Sequence, residues 1–184
     1  TRIAGLLLLL VGIAVVAAVY LSFSDVEMLY SREGPISNNH LDWEEKGFTL
    51  IEQETGHKVR GADGVRFYFS WPQEKWLSVF APPSGTAELA IVTANYKPKM
   101  VSLKIYKFPR KDYDDFLRDF DTASSGYHYM RRGFDGKAFS YERWKQGSAI
   151  SYEGNASFSS EDAKVFQIVE SLVAKVSRGQ DVAH

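Results

Sequence analysis

Acid–base or metal chemistry needs histidines and carboxylates at relay or ligand spacing. The histidines of this chain are His40, His57, His128 and His184, and none has a partner histidine at HxH or HxxxH spacing. Cysteine is absent, which removes disulfides, thiolate nucleophiles, Cys-ligated zinc and iron–sulfur clusters together. Neither GxSxG, a P-loop, GxGxxG, DxDxDG nor HExxH occurs. Asp112, Asp114, Asp115, Asp119 and Asp121 form an acidic cluster. At helical spacing they lie mostly opposite Tyr113, Phe116 and Phe120, as on a solvated helix face, whereas a calcium loop needs its ligands on a turn. The residue types therefore predict no catalytic residue, no metal site and no cofactor.

What remains are two basic stretches. Lys97, Lys99, Lys104, Lys107, Arg110 and Lys111 are free of intervening acids. Arg131, Arg132, Lys137, Arg143 and Lys145 are interleaved with Tyr127, Tyr129, Phe134, Tyr141 and Trp144. Arginines beside aromatics have the composition of an interaction surface. Tyr127, Tyr129, Arg131, Arg132, Arg143 and Trp144 are thus the candidate partner-binding residues, with outward strand residues as the plainer alternative. The same composition suits stacking on nucleic acid, but the formal net charge of −1 gives no global bias that way. An extracytoplasmic placement argues against it as well, so anionic headgroups or an acidic protein surface are the better candidates. Asn155-Ala-Ser157 matches a glycosylation sequon, which carries meaning only in a eukaryotic secretory pathway.

The element that would place such a surface comes first in the chain. No charge occurs from Ile3 to Ser24, and the run Ile3 to Leu21 is apolar all round. At ~1.5 Å per residue it reaches roughly 28 Å, near the ~30 Å hydrocarbon thickness of a bilayer. Tyr20 and Phe23 sit where an interfacial aromatic belt lies. Arg2 and the terminal amine precede the run and Asp25 and Glu27 follow it, so the positive-inside rule puts the N-terminus in the cytoplasm and the domain outside. A cleaved signal peptide competes with this reading. Ser22-Phe23-Ser24 is a small-x-small pattern, yet the apolar run exceeds the usual h-region of about 7–15 residues. Gly5, Gly12, Ala14 and Ala18 provide small-residue faces on the helix, and the Ala14/Ala18 spacing permits close approach of another helix.

The domains expected are therefore residues 1–24 as a transmembrane anchor, 25–46 as a linker and 47–184 as one extracytoplasmic domain. Gly34-Pro35 and Ser37-Asn38-Asn39 carry the loop chemistry of the linker. Strands follow, with Val65, Phe67 and Phe69 alternating with Arg66 and Tyr68, then Trp76–Ala81, Leu89–Tyr96, and Val101, Leu103 and Ile105. Period-2 alternation implies a sheet with one buried face, and the short connections imply antiparallel neighbours. After Pro109 the period changes: Tyr113, Phe116, Leu117 and Phe120 mark an amphipathic helix that stops at Ser124-Ser125-Gly126. Ala138–Trp144 and Ala149–Glu153 read as a hairpin around Gln146-Gly147, after an approach through Tyr127–Met130. Ser159 or Ser160 caps a last helix with Val165, Ile168, Val169, Leu172, Val173 and Val176 as its core face, and Gly179 stands at C′. The class is α+β: a mainly antiparallel sheet packed by two helices.

The run Gly64-Val-Arg-Phe-Tyr-Phe-Ser-Trp-Pro72 with Trp76 is similar to the early strand and Pro…Trp turn of the PsbP-like family. Gly136-Lys-Ala138 before a strand, and Ser160 to Leu172 as a closing helix, resemble the family's middle and end. The likeness covers about residues 60–176 and implies an α/β/α sandwich. Members of that family are mostly accessory or binding proteins, including an extrinsic photosystem subunit; that subunit is soluble, so the anchor is a departure. The resemblance transfers no catalytic residue. The expectation is a non-enzymatic accessory subunit of a larger membrane complex, of a bioenergetic or photosynthetic kind. Other membrane subunits and the bilayer would be its partners, in the periplasm if the cell is Gram-negative. A free-standing tethered binder of a ligand, toxin or cell-wall partner is the alternative, and an enzyme assembled from scattered residues is the third.

Overall fold

The structure, a computed structural model, describes residues 27–35, 43–56, 58, 62–69, 73–82, 85–96, 99–125, 137–157 and 160–178. Within them run β1 (Glu27–Pro35), α1 (Trp43–Thr55), β2 (Gly64–Phe69), β3 (Glu74–Phe80), β4 (Ala87–Tyr96) and β5 (Lys99–Phe108). After these come α2 (Arg110–Ser124), β6 (Ala138–Lys145), β7 (Ser148–Asn155) and α3 (Ser160–Arg178). The strands form one sheet in the order β1-β5-β4-β3-β2-β6-β7. Every neighbouring pair is antiparallel. The domain is α+β, as its patterning predicts.

Helices cover both faces of the sheet. The i, i+3, i+4, i+7 stripe of α2 is buried throughout at Tyr113, Phe116, Leu117 and Phe120. On α3, Val165, Val169, Leu172 and Val176 are buried beside Phe166, and Ile168 and Val173 are partly buried. α2 and α3 pack together over Val65, Phe67, Leu77, Val79, Phe139 and Tyr141 of the sheet. Ring stacking ties this core across strands, with Phe67 5.0 Å from Phe139 and 6.1 Å from Tyr141. On the other face Phe48 and Ile51 of α1 meet Tyr68, Trp76, Ala90, Val92, Leu103 and Ile105.

Three expectations change. The stretch expected as a linker contains strand β1 and the start of α1. β1 pairs with β5 from Glu27↔Lys107 to Pro35↔Met100. Gly34-Pro35 is thus the end of an edge strand, a position that tolerates proline, and is not a loop. Three helices are present among the described residues, where two were expected in the domain. Both faces of β2 are buried rather than one, because α1 covers the side that carries Arg66 and Tyr68. The docking of α1 depends on Gly47, where an added Cβ would lie 2.1 Å from Cδ2 of Trp76. Among the described residues no helix is long and apolar enough to cross a membrane. The expected anchor, with Gly5, Gly12, Ala14 and Ala18, lies outside them.

Candidate binding site on the outer strands

The sheet ends in the β6–β7 hairpin. Its two-residue turn has φ of 50° at Gln146 and 81° at Gly147, the paired left-handed residues of a type I′ turn. The turn sets the hydrogen-bond phase of the ladder. The Ser148 N–H bonds back across the turn to Lys145, so even-numbered residues of β7 face β6. The Ala156 N–H donates to the Lys137 carbonyl at 3.0 Å and keeps that phase to the far end. The N–H groups of Ala149, Ser151 and Glu153 therefore point away from the sheet. The next outward N–H, of Asn155, is taken by Asp162 Oδ2 at 2.9 Å. No strand among the described residues pairs with the outer edge of β7.

Side chains alternate between the faces. Ile150 and Tyr152 lie on the α2/α3 face, since Tyr152 is directly opposite Tyr141. Ile150 is 68% exposed, the one large hydrophobic residue among those described to be so open. Ala149, Ser151 and Glu153 lie on the α1 face. There the row Arg66–Glu142–Ser151 crosses three strands in register. α1 contacts β3 and β4 and leaves this outer part of the face uncovered by a described helix. The result is a cleft of about 200 Å³ between the start of α1 and β6–β7, lined by Glu45, Phe48, Arg66, Ser140, Glu142, Ser151 and Glu153 among others.

Arg66 forms the floor and is 2% exposed. Its guanidinium donates to Glu45 Oε2 and Glu142 Oε2, both at 3.2 Å, and lies 4.0 Å over the Phe48 ring. Its Nε has no hydrogen-bond partner. The Trp144 indole donates to the same Glu142 oxygen at 3.1 Å. Glu45, Glu142 and Glu153 line the cleft around Arg66.

A second hollow of about 810 Å³ runs between α2 and α3. Phe116, Ile168 and Leu172 line it beneath Asp115, Asp119, Glu161 and Lys164.

Arg143, expected as an outward partner-binding residue, is 5% exposed. It lies on the α2/α3 face, where its Nε donates to Asp121 Oδ1 at 2.7 Å and its Nη2 to Asp121 Oδ2 at 3.0 Å. Its Nη1 bonds Asp63 and the Trp144 carbonyl. Burial works against its charge, but the Asp121 and Asp63 carboxylates outweigh that and hold its pKa above the usual arginine range. Trp144 is half-buried on the opposite face, so the two residues do not form one surface. Tyr127, Tyr129, Arg131 and Arg132 lie outside the described residues, as do all four histidines and the Gly179 cap position. Asn155 of the sequon is 2% exposed and its Oδ1 accepts the Ser157 N–H at 3.0 Å, so it does not offer a glycosylation acceptor. Among the described residues no group of three His, Asp or Glu side chains is placed to hold a metal.

The acidic helix face divides its partners. Asp112 bonds Lys175 of α3 at 2.8 Å, Asp114 bonds Arg110 at 3.1 Å, and Asp115 and Asp119 flank Arg118. Asp121 alone reaches the buried Arg143. The residues missed from sequence are Glu45, Arg66, Glu142 and Glu153. The signal for Arg66 was a charge inside an otherwise aromatic strand, which period-2 reading assigns to solvent.

Comparison with protein-family models, with curated proteins and with solved structures returns no match to this chain.

Proposed function

We propose that the chain is a non-enzymatic accessory subunit of a larger membrane complex, tethered by the apolar run of residues 3–21, with its α+β domain holding a partner outside the cytoplasm. The observation that carries this reading is the unpaired outer edge of β7 among the described residues. An edge with free backbone groups is a template for another chain. The charge-free run before the domain supports the tether. The helix–sheet–helix layering agrees with the PsbP-like resemblance, whose members are mostly accessory or binding proteins. A bioenergetic or photosynthetic assembly is the class of complex that reading names.

The test is purification of the intact protein in mild detergent, with mass spectrometry of the proteins that accompany it. A stoichiometric set of membrane proteins supports the reading. Migration as a lone species of 20.8 kDa on native gels under every mild condition overturns it.

The second reading is a free-standing tethered binder, favoured by the apolar-floored groove between α2 and α3. A mere tether tolerates replacement by an unrelated transmembrane segment, whereas a helix packed in a complex does not.

A further inference from the structure

We propose that two copies of the chain pair along the outer edges of their β7 strands, antiparallel and centred on Ser151, so that the two sheets run on as one. This goes beyond the accessory-subunit reading and rests on it only in taking that edge as an interface.

The row of outward groups decides the occupant. Ala149, Ser151 and Glu153 direct their N–H groups away from the sheet. Asp162 closes the row at one end by taking the Asn155 N–H, and the Gln146-Gly147 turn closes it at the other. Ser151 is thus the middle of the row, and a row with a centre can pair with itself. About a two-fold axis at Ser151, Ala149 faces Glu153 of the second copy, Ser151 faces Ser151, and every outward N–H meets a carbonyl. The neighbouring registers fail. An axis at Ile150 sets Glu153 against Gly147 of the turn, and an axis at Tyr152 sets Ala149 against Asn155, whose N–H is already taken. The same axis places the side chains. Ile150, 68% exposed, falls opposite Tyr152 of the second copy, in the non-hydrogen-bonded position where side chains come closest. Symmetry repeats that contact. Glu153 meets the small Ala149, and the two copies of Glu153 stand roughly 14 Å apart along the strands, beyond the ~8 Å screening length of physiological salt. The strand also lacks the devices that protect natural edges: Ser148–Asn155 contains no proline, lysine or arginine, and its first residues are exposed. The opposite edge strand, β1, carries a register shift between Met28 and Tyr30 and ends at Pro35, features that keep other strands off.

The chain has no cysteine, so a single introduced thiol reports the register. Paired residues at Ser151 have Cα atoms ~5.5 Å apart, within the ~4.4–6.8 Å that a disulfide spans. Ser151→Cys in the full chain, in mild detergent with a mild oxidant, should therefore cross-link to a dimer. Ala149→Cys lies on the same face but roughly 14 Å from its own copy, and should not cross-link. By sedimentation the unaltered chain should show a monomer–dimer equilibrium. Ile150→Lys changes an exposed side chain and puts a lysine on the edge, so it should weaken that equilibrium at least about tenfold while circular dichroism stays unchanged. The mass of one chain at every concentration overturns the proposal. So does equal cross-linking from Ser151→Cys and Ala149→Cys, a dimer indifferent to Ile150→Lys, or a companion protein joined to Ser151→Cys in place of the second copy. Companion membrane proteins that co-purify with a chain whose Ser151→Cys form does not cross-link would leave the accessory-subunit reading standing and remove this pairing. A cross-linked pair without companions would do the reverse.

Discussion

Two buried arginines sit on opposite faces of the sheet and should respond differently to removal. Arg143 joins α2 to β6 through a two-pronged bond to Asp121 and a further bond to Asp63. Arg143→Ala removes that clasp and the packing of its stem. A loss of about 2–4 kcal/mol is expected, read as a lower urea midpoint with unchanged slope. Arg66 holds two carboxylates that keep contact with water, 40% and 28% exposed, and has one unsatisfied nitrogen of its own. Arg66→Met keeps the volume over Phe48 and removes that unsatisfied group, so its cost should stay within about 1 kcal/mol by the same measurement.

Three phenols set the alkaline limit of the fold, and burial with the hydrogen bond to Asp162 raises Tyr152 furthest. Burial, with Asp63 nearby, raises Tyr113 to about 12, and burial raises Tyr141 to about 12. Each binds its proton more tightly folded than unfolded, so the stability they add is complete below their ordinary pKa of 10.0 and is lost as pH rises through about 12. The Tyr113 hydroxyl donates to the Asp63 carbonyl at 2.8 Å, a bond that its phenolate cannot make. Phenolate absorbance should show three tyrosines that titrate late, together with unfolding. In Tyr113→Phe one late titration should disappear, at a cost of about 1 kcal/mol.

At the scale of elements, α1 is the piece whose docking is most exposed to a single change. Alanine in place of glycine within a helix ordinarily adds up to ~1 kcal/mol. Gly47→Ala should do the reverse, because its Cβ would strike the buried Trp76 ring. A net loss of about 2 kcal/mol is expected in thermal or urea unfolding, with quenching of Trp76 fluorescence altered at the same time. A mutant as stable as the parent would mean that α1 does not lie on β3 and β4. The legible elements are those whose reason is local. The stripe of Tyr113, Phe116, Leu117 and Phe120 and that of Val165, Val169, Leu172 and Val176 are periodic within one helix. The Gln146-Gly147 hairpin is a turn between two β-rich runs. α1 was not legible, because Phe48 and Ile51 are sparse apolar marks among charged neighbours and Gly47 argues against a helix until Trp76 is known to lie over it.

At the scale of the whole molecule, the expected anchor and the domain make separable demands. Replacement of residues 3–21 by an unrelated transmembrane segment of equal length should leave the domain folded, as the described core residues run from Phe48 to Val176 and pack on one another. The same replacement should strip companion proteins that hold the helix through the Gly5, Gly12, Ala14 and Ala18 faces. Those held by the domain should remain. Quantitative mass spectrometry of the two purified forms separates these groups, and identical companion sets would show that the helix is a tether alone.

Composition and local period were enough to specify an α+β domain, two amphipathic helices with their buried faces, and one hairpin with its turn, since each is decided by residues within a few positions of one another. The tertiary structure alone decided what the charges do. Arg66 meets Glu142 across 76 residues and Arg143 meets Asp63 across 80, so neither partner is visible at any local spacing. It also decided that the supposed linker supplies β1 and the start of α1, and that β7 ends the sheet with an outward row of donors. Sheet order and face coverage arise from contacts between distant segments, and those contacts determine which polar residue is a buried clasp and which stays exposed.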